Sequence, residues 1–359
     1  MEIKDILLSE ETLFRDETIF TPNHIPADFM HRDSETKELA FSLKPGLRGV
    51  NPVNTLIHGP AGTGKTTAVR YLFQQIKESS GKLATVYINC EDYSTPYAIF
   101  AKIYESLYGF PPPSTGKPLE DVKERVYGRL KKEDRSLVVA LDELDRLFLN
   151  KNVEAVLIDL LKAHVSYDFD RVGVIGIMIE KEHIAQLSEK ARSVFNPSLI
   201  HFRPYCREEI RDILEYRVRY GFYRDVVPEE ILESVVDFTH KKGDLRFGID
   251  LLRRSALLAE NDSSRSITEE HLMEVFSKIS SPKARGGKLS SGGKKLLQIV
   301  EVNDNRSSGR IYELFREETG SGIKRYNQLI KELESKKLIE TEYPKGKRGR
   351  SRNVRLLRE

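Results

Sequence analysis

Tryptophan is absent from the 359 residues, methionine appears four times and cysteine twice. Cys90 and Cys206 lie too far apart in sequence for a disulfide framework, and such sparing use fits a reducing compartment. The eight histidines are scattered without metal-ligand spacing, so no structural zinc is expected. No uncharged apolar stretch approaches the roughly 18 residues that span a bilayer; the longest candidate near the middle is 172–179. The start, Met1-Glu2-Ile3-Lys4-Asp5, shows neither a basic opening nor an apolar signal core. The expectation is a cytoplasmic protein with no membrane partner.

What is present is a globular balance, 39% hydrophobic and 31% charged, on a length that suits two or three domains. The net charge of +3 hides an asymmetry. Residues 281–359 carry 20 basic against 10 acidic residues, leaving 38 against 45 for the rest. Charge alone fits either a polyanion partner or a solvated lysine-rich face.

The clearest linker is 281–293, small, flexible and basic without apolar period. Upstream, β-branched runs at 54–58, 84–89, 137–141, 172–177 and 199–202 alternate with helical patterns, which predicts a parallel α/β sheet covered on both faces. From 207 to 280 the pattern is helical alone. Pro228-Glu229-Glu230 and Thr268-Glu269-Glu270 read as helix starts, with acids against the positive end of the dipole.

Gly59-Pro60-Ala61-Gly62-Thr63-Gly64-Lys65-Thr66, followed by Thr67, has the spacing G-x-x-x-x-G-K-[ST] between a predicted strand and a predicted helix. Glycines let backbone N–H groups point into a concavity that holds phosphate oxygens, and the helix amino end adds positive potential. Lys65 is placed to reach the β and γ phosphates of ATP, and the Thr66 hydroxyl to ligate Mg²⁺. The bland alternative is a glycine-rich turn that binds nothing. The run 137–141 ends in Asp142-Glu143, carboxylates at the carboxyl end of a strand, where open α/β sheets bind ligands. Asp142 suits a metal-holding role and Glu143 the polarisation of an attacking water; a solvated acidic turn is the alternative.

From Lys294 the pattern is helical again. Leu296, Leu297 and Val300 share one face, then Ile311, Leu314 and Phe315, then Tyr326, Leu329, Ile330 and Leu333. Two strand-like runs follow, 338–343 and 353–356, around the acid-free segment 345–352. Three helices and a basic hairpin resemble a winged helix, whose third helix enters the major groove. Lys324, Arg325, Asn327 and Gln328 open that helix with side chains able to reach base edges. Lys345, Lys347, Arg348, Arg350 and Arg352 in the wing would meet phosphates and set salt dependence. Winged helices also mediate protein contacts, which stays open here.

A Walker A loop, a strand ending Leu141-Asp142-Glu143-Leu144-Asp145 and an all-helical segment together resemble an AAA+ ATPase. Pro26-Ala27-Asp28-Phe29-Met30-His31-Arg32-Asp33, Gly46-Leu47-Arg48-Gly49 and Gly243-Asp244-Leu245-Arg246 are similar to the archaeal initiators related to the origin recognition complex and its helicase-loading partner. The resemblance covers nearly the whole chain. It implies an amino-terminal segment (1–15), an AAA+ base (16–206), a helical lid (207–280), the linker and a DNA-binding winged helix (294–359). It further implies ATP/ADP with Mg²⁺, duplex origin DNA, a replicative helicase or its loader, and further copies or paralogous initiators on DNA as partners, with a nucleoid-associated location.

By the same resemblance Arg246 matches the sensor-two arginine, and Tyr205 and Arg217 match positions bordering the nucleotide. Arg192 is the candidate arginine finger, with Arg203 as the alternative. Residues 89–110 with 112–116 are similar to the family's DNA-touching helical insertion. Met178-Ile179 stands where the family places a hydroxyl residue and an asparagine, so hydrolysis is expected to be slow or partner-dependent. The function implied is replication initiation with ATP hydrolysis as a slow switch. Two rivals stay open: an AAA+ protein remodeller whose winged helix binds a protein, and a nucleotide-gated transcription or plasmid regulator.

Overall fold

The computed structural model describes residues 12–113, 118–280, 290–303, 306–336, 338–342 and 352–356. The chain divides between Ile267 and Thr268 into two compact units. Among the described residues no helix is long and apolar enough to cross a membrane.

The first unit opens with a 3₁₀ turn, Glu17–Phe20, and helix α1, Asp33–Leu47. The chain then alternates as β1 (Thr55–His58), α2 (Lys65–Ser79), β2 (Leu83–Asn89), α3 (Pro96–Tyr108), α4 (Leu119–Lys132) and β3 (Ser136–Asp142). Short helices α5 (Asp145–Leu149), α6 (Val153–Leu161) and α7 (Ala163–Tyr167) lead to β4 (Val172–Met178), and α8 (Glu189–Val194) to β5 (Ser198–His201). The strands are parallel in the order β2-β3-β4-β1-β5. All five predicted runs became strands, shifted by a residue at most at either end.

Their apolar side chains divide by parity, as pleated strands require. Leu56, Val139 and Val174 join the core under α3, α4 and α6, while Ile57, Val138 and Ile175 join the one under α1 and α2. Burial on both faces is what continuous apolar strands need. This order places β4 between β1 and β3, so the loop leaving β1 and the carboxylates ending β3 emerge on either side of Met178.

Helices α9 (Arg207–Gly221), α10 (Glu229–Lys242) and α11 (Leu245–Asn261) complete the unit. Helix α12 (Glu269–Ser280), expected to close that helical segment, groups with the second unit instead.

The second unit continues with α13 (Ser291–Val302), β6 (Arg306–Ser307), α14 (Ser308–Thr319), α15 (Ile323–Ser335), β7 (Ile339–Glu342) and β8 (Asn353–Leu356). Its antiparallel sheet runs β6-β8-β7. Leu296, Val300, Ile311, Phe315, Tyr326, Ile330 and Leu333 are buried together with Ile339 and Val354, which is the face pattern read from the sequence. Two details differ. The expected linker ends early, because Ser290 caps α13 by accepting from the Gly293 N–H over 3.2 Å, so 291–293 form the helix's first turn. β6 is too short to leave a periodic signal and forms only by pairing with β8.

Candidate nucleotide site and nucleic-acid face

The loop from Gly59 to Gly64 takes backbone conformations that demand glycine. Gly62 has φ +72°, and a Cβ there would overlap the Asp244 carboxylate; Gly64 has φ +91°, and its Cβ would stand 2.7 Å from the Tyr205 hydroxyl. The loop is thus closed against the start of α11 on one side and Tyr205, in the segment after β5, on the other. Lys65 Nζ donates to the Gly59 and Pro60 carbonyls at 2.6 Å each. Burial, partly offset by the Asp142 charge, holds this amine down to about 8.

The Thr66 hydroxyl donates to Asp142 Oδ2 over 2.6 Å. The Tyr87 hydroxyl donates to the same oxygen over 2.7 Å, and the Glu143 N–H to Oδ1 over 2.8 Å. Asp142 is therefore held by three donors, from β2, α2 and the turn after β3. Glu143, next in the chain, adopts φ +52°, which turns its exposed side chain away from the strand. Partial burial, then Glu91 and Asp142, push its carboxyl above the usual range, the direction a proton acceptor needs.

A cavity of about 570 Å³ gathers Gly62, Thr63, Gly64, Lys65, Thr66 and Thr67 with Tyr205, Arg217 and Arg246. Gly59, Pro60 and Ala61 lie outside its lining, the first two turning their carbonyls to Lys65. Arg246 follows Asp244, which caps α11 by accepting from the Arg246 N–H over 3.0 Å, and its exposed guanidinium is 3.4 Å from that carboxylate. Arg217 is not a surface arginine: it is 7% exposed, donates to the Ile19 carbonyl, and burial lowers it to about 10. Burial raises the Tyr205 phenol to about 12.

Arg32 belongs to the motif 26–33, and nothing in its sequence context assigns it a role. Its side chain is fully buried, donating to the Thr63 carbonyl over 3.1 Å and to the Arg203 carbonyl over 2.6 Å, with the guanidinium 3.8 Å from the Tyr205 ring centroid. It clamps the loop to the end of β5. Tyr87, also missed, sits in a strand pattern that says nothing about a hydroxyl partner fifty-five residues away.

In the second unit Lys324, Arg325, Asn327 and Gln328 are all exposed on α15, while Tyr326 between them is buried. The Arg352 carbonyl accepts from the Ser308 N–H over 2.7 Å, which fastens the hairpin base to α14. Lys345, Lys347, Arg348 and Arg350 lie outside the described residues.

Residues 28–164 match the AAA ATPase domain family, and residues 211–277 the Cdc6 AAA+ ATPase-type lid domain. The ORC1-type DNA replication protein 2 of Methanothermobacter thermautotrophicus is 40% identical, over 98% of this chain and 94% of that one. Its namesake in Methanosarcina mazei is 38% identical over 98% and 95%. This chain belongs to the ORC1-type DNA replication protein family. Among solved structures, the Aeropyrum pernix ORC1 protein in complex with DNA is similar with a TM-score of 0.80 at 26% identity, covering 97% and 94% of the two chains. The Aeropyrum pernix ORC2 protein in its ADPNP-ADP complexes shares the fold, with a TM-score of 0.67 at 23% identity over 96% and 94%.

Within this AAA+ and lid architecture the end of β4 carries Met178 and, just beyond it, Ile179. Met178 is buried, and Ile179, 54% exposed, offers its carbonyl to the Gly59 N–H and its own N–H to the Asp145 carboxylate. Neither side chain can donate to a phosphate. The two finger candidates also separate. Arg203 is committed to Glu209 through bonds of 2.8 and 2.5 Å, whereas Arg192 is exposed on α8 with no charged partner among the described residues. Within the stretch expected as a helical insertion, 89–110 with 112–116, the structure places α3, whose Ile99, Phe100 and Ile103 are core residues. Tyr97 and Phe110 are exposed, and 114–117 lie outside the described residues.

Proposed function

We propose that the chain is an ATP-binding replication initiator that binds duplex origin DNA and assists loading of the replicative helicase. The observation carrying this reading is that one ORC1-type chain unites a P-loop tied to its Asp142 carboxylate with a helix presenting Lys324, Arg325, Asn327 and Gln328 outward. The cavity between the loop and the lid residues Arg217 and Arg246 is the place for ATP or ADP. The Thr66 hydroxyl and Asp142 carboxylate, 2.6 Å apart, are paired hard-oxygen donors and fit Mg²⁺, which when bound neutralises phosphate charge.

In this reading Lys65 and Arg246 bind phosphates, Glu143 orients the attacking water, and Tyr205 and Arg217 border the nucleotide. Hydrolysis is slow because the end of β4 supplies no polar side chain. Arg192, free of in-chain partners among the described residues, is the finger offered to a neighbouring copy or paralogous initiator. Helix α15 reads bases, Arg352 and the wing residues Lys345, Lys347, Arg348 and Arg350 meet phosphates, and the protein works on the nucleoid. The lid is taken to run to 280 as expected, although Glu269–Ser280 groups with the second unit, and the linker shortens to 281–290.

The test is affinity for duplex DNA against salt, with ATP, ADP or neither, for the chain and for Lys347→Ala, Arg348→Ala and Arg350→Ala combined. The expected result is tight binding whose salt slope falls by about 2 to 3 in the triple variant, at every sequence. Affinity equal to that of the triple variant in all nucleotide states would overturn the initiator reading.

A further inference from the structure

β2 is an edge strand of the five-stranded sheet. The Ser136 N–H donates to the Lys82 carbonyl and the Cys90 N–H to the Asp142 carbonyl, so even-numbered residues turn their backbone groups toward β3. By alternation Thr85 and Tyr87 turn theirs to the outer side, with which no strand pairs among the described residues. Native sheets seldom leave such an edge open without a device to block it.

Here the edge is the floor of a cavity of about 530 Å³, walled by α2 with Arg70 and Lys77 and by α3 with Lys102 and Glu105. Thr85, which lines it, is 6% exposed and its hydroxyl has no hydrogen-bond partner. Three cations stand against one acid, and that acid is already paired with Lys102 at 2.7 Å. We propose that this slot captures an extended acidic segment of a partner protein, which adds as a sixth strand outside β2. A strand edge recognises a backbone of any sequence, and flanking side chains then set specificity. The surplus of positive charge on both walls selects carboxylates. A free phosphate would satisfy the cations but leave the backbone groups of Thr85 and Tyr87 unmet. Tyr87 also bonds Asp142, so the added strand lies one side chain from the nucleotide site.

The test titrates the full chain into a fluorescein-labelled, amidated peptide of sequence Val-Glu-Val-Glu-Val-Glu. Two control peptides are used, one with lysine for glutamate and one with proline replacing the inner valines. The acidic peptide should bind at least about tenfold more tightly than either control. The combined variant Lys77→Glu, Lys102→Glu should lose at least about tenfold in peptide affinity with unchanged nucleotide binding, which reports an intact fold. Equal affinity for the proline peptide reduces the contact to charge and overturns strand addition. Affinity retained by the double variant places the peptide elsewhere, such as on the basic second unit, and overturns the slot, as does absence of binding at millimolar peptide. None of these outcomes bears on the nucleotide reading or on DNA binding by the second unit, which use neither lysine.

Discussion

The Thr66 hydroxyl donates to the Asp142 carboxylate over 2.6 Å, across seventy-six residues of sequence. One residue lies at the amino end of α2 and the other at the carboxyl end of β3, and the intervening strand β4 sets the gap they bridge. This contact joins the two halves of the proposed nucleotide site. Replacing Asp142 with Asn should leave the fold intact and lower ATP turnover by about 10²-fold or more, because the carboxylate charge is what an ion at this point requires. Thr66→Ala should weaken Mg²⁺-dependent nucleotide binding at least about tenfold. A turnover assay checks the first and equilibrium binding with and without Mg²⁺ the second, where equal losses in the two conditions would contradict the assignment.

Tyr87 shares Asp142 Oδ2 with Thr66 without lining the main cavity, so it acts by orienting the carboxylate. Tyr87→Phe removes one donor and costs about 1 kcal/mol of stability. The expected functional effect is a rise of about tenfold in the Mg²⁺ concentration needed for half-maximal nucleotide binding. Affinity without Mg²⁺ should not change, which separates orientation of Asp142 from general damage to the site.

Arg32 is buried with its guanidinium shared among the His31, Thr63 and Arg203 carbonyls, the Glu35 carboxylate at 3.5 Å and a tyrosine ring. Arg32→Met leaves the Thr63 and Arg203 carbonyls without their donor, and should cost about 3 kcal/mol or more in denaturant unfolding. Arg32→Lys should not rescue the loss, since a single ammonium cannot reproduce a planar fork stacked on Tyr205. Full rescue by lysine would show that charge alone matters there.

Glu209 accepts both bonds from Arg203, and that guanidinium holds its carboxyl down to about 2 from an ordinary 4.5. A depressed carboxyl favours the folded state above its unfolded value, and this contribution is lost as pH falls from about 4.5 through about 2. Glu209→Gln should therefore cost about 1 kcal/mol at pH 7, discounted because Arg203 is half exposed. The difference from the parent should vanish toward pH 2. A gap that stays constant across this range would assign the pair no role in acid stability.

The amino-acid sequence by itself determined the order of strands and helices, because apolar period and glycine spacing are local properties. Gly62, Gly64, Lys65 and Asp142 were legible for that reason, as were the outward residues of α15 on either side of buried Tyr326. The departure at Met178-Ile179 was legible too, since the absence of a hydrogen-bonding side chain needs no coordinates. What only the tertiary structure decided is which distant groups meet. Nothing local marks Arg217 or Arg32 for burial, and a buried cation must find its partners wherever the fold brings carbonyls and rings together. The open outer side of β2 is likewise a property of the strand order β2-β3-β4-β1-β5, which long-range pairing sets and local pattern does not.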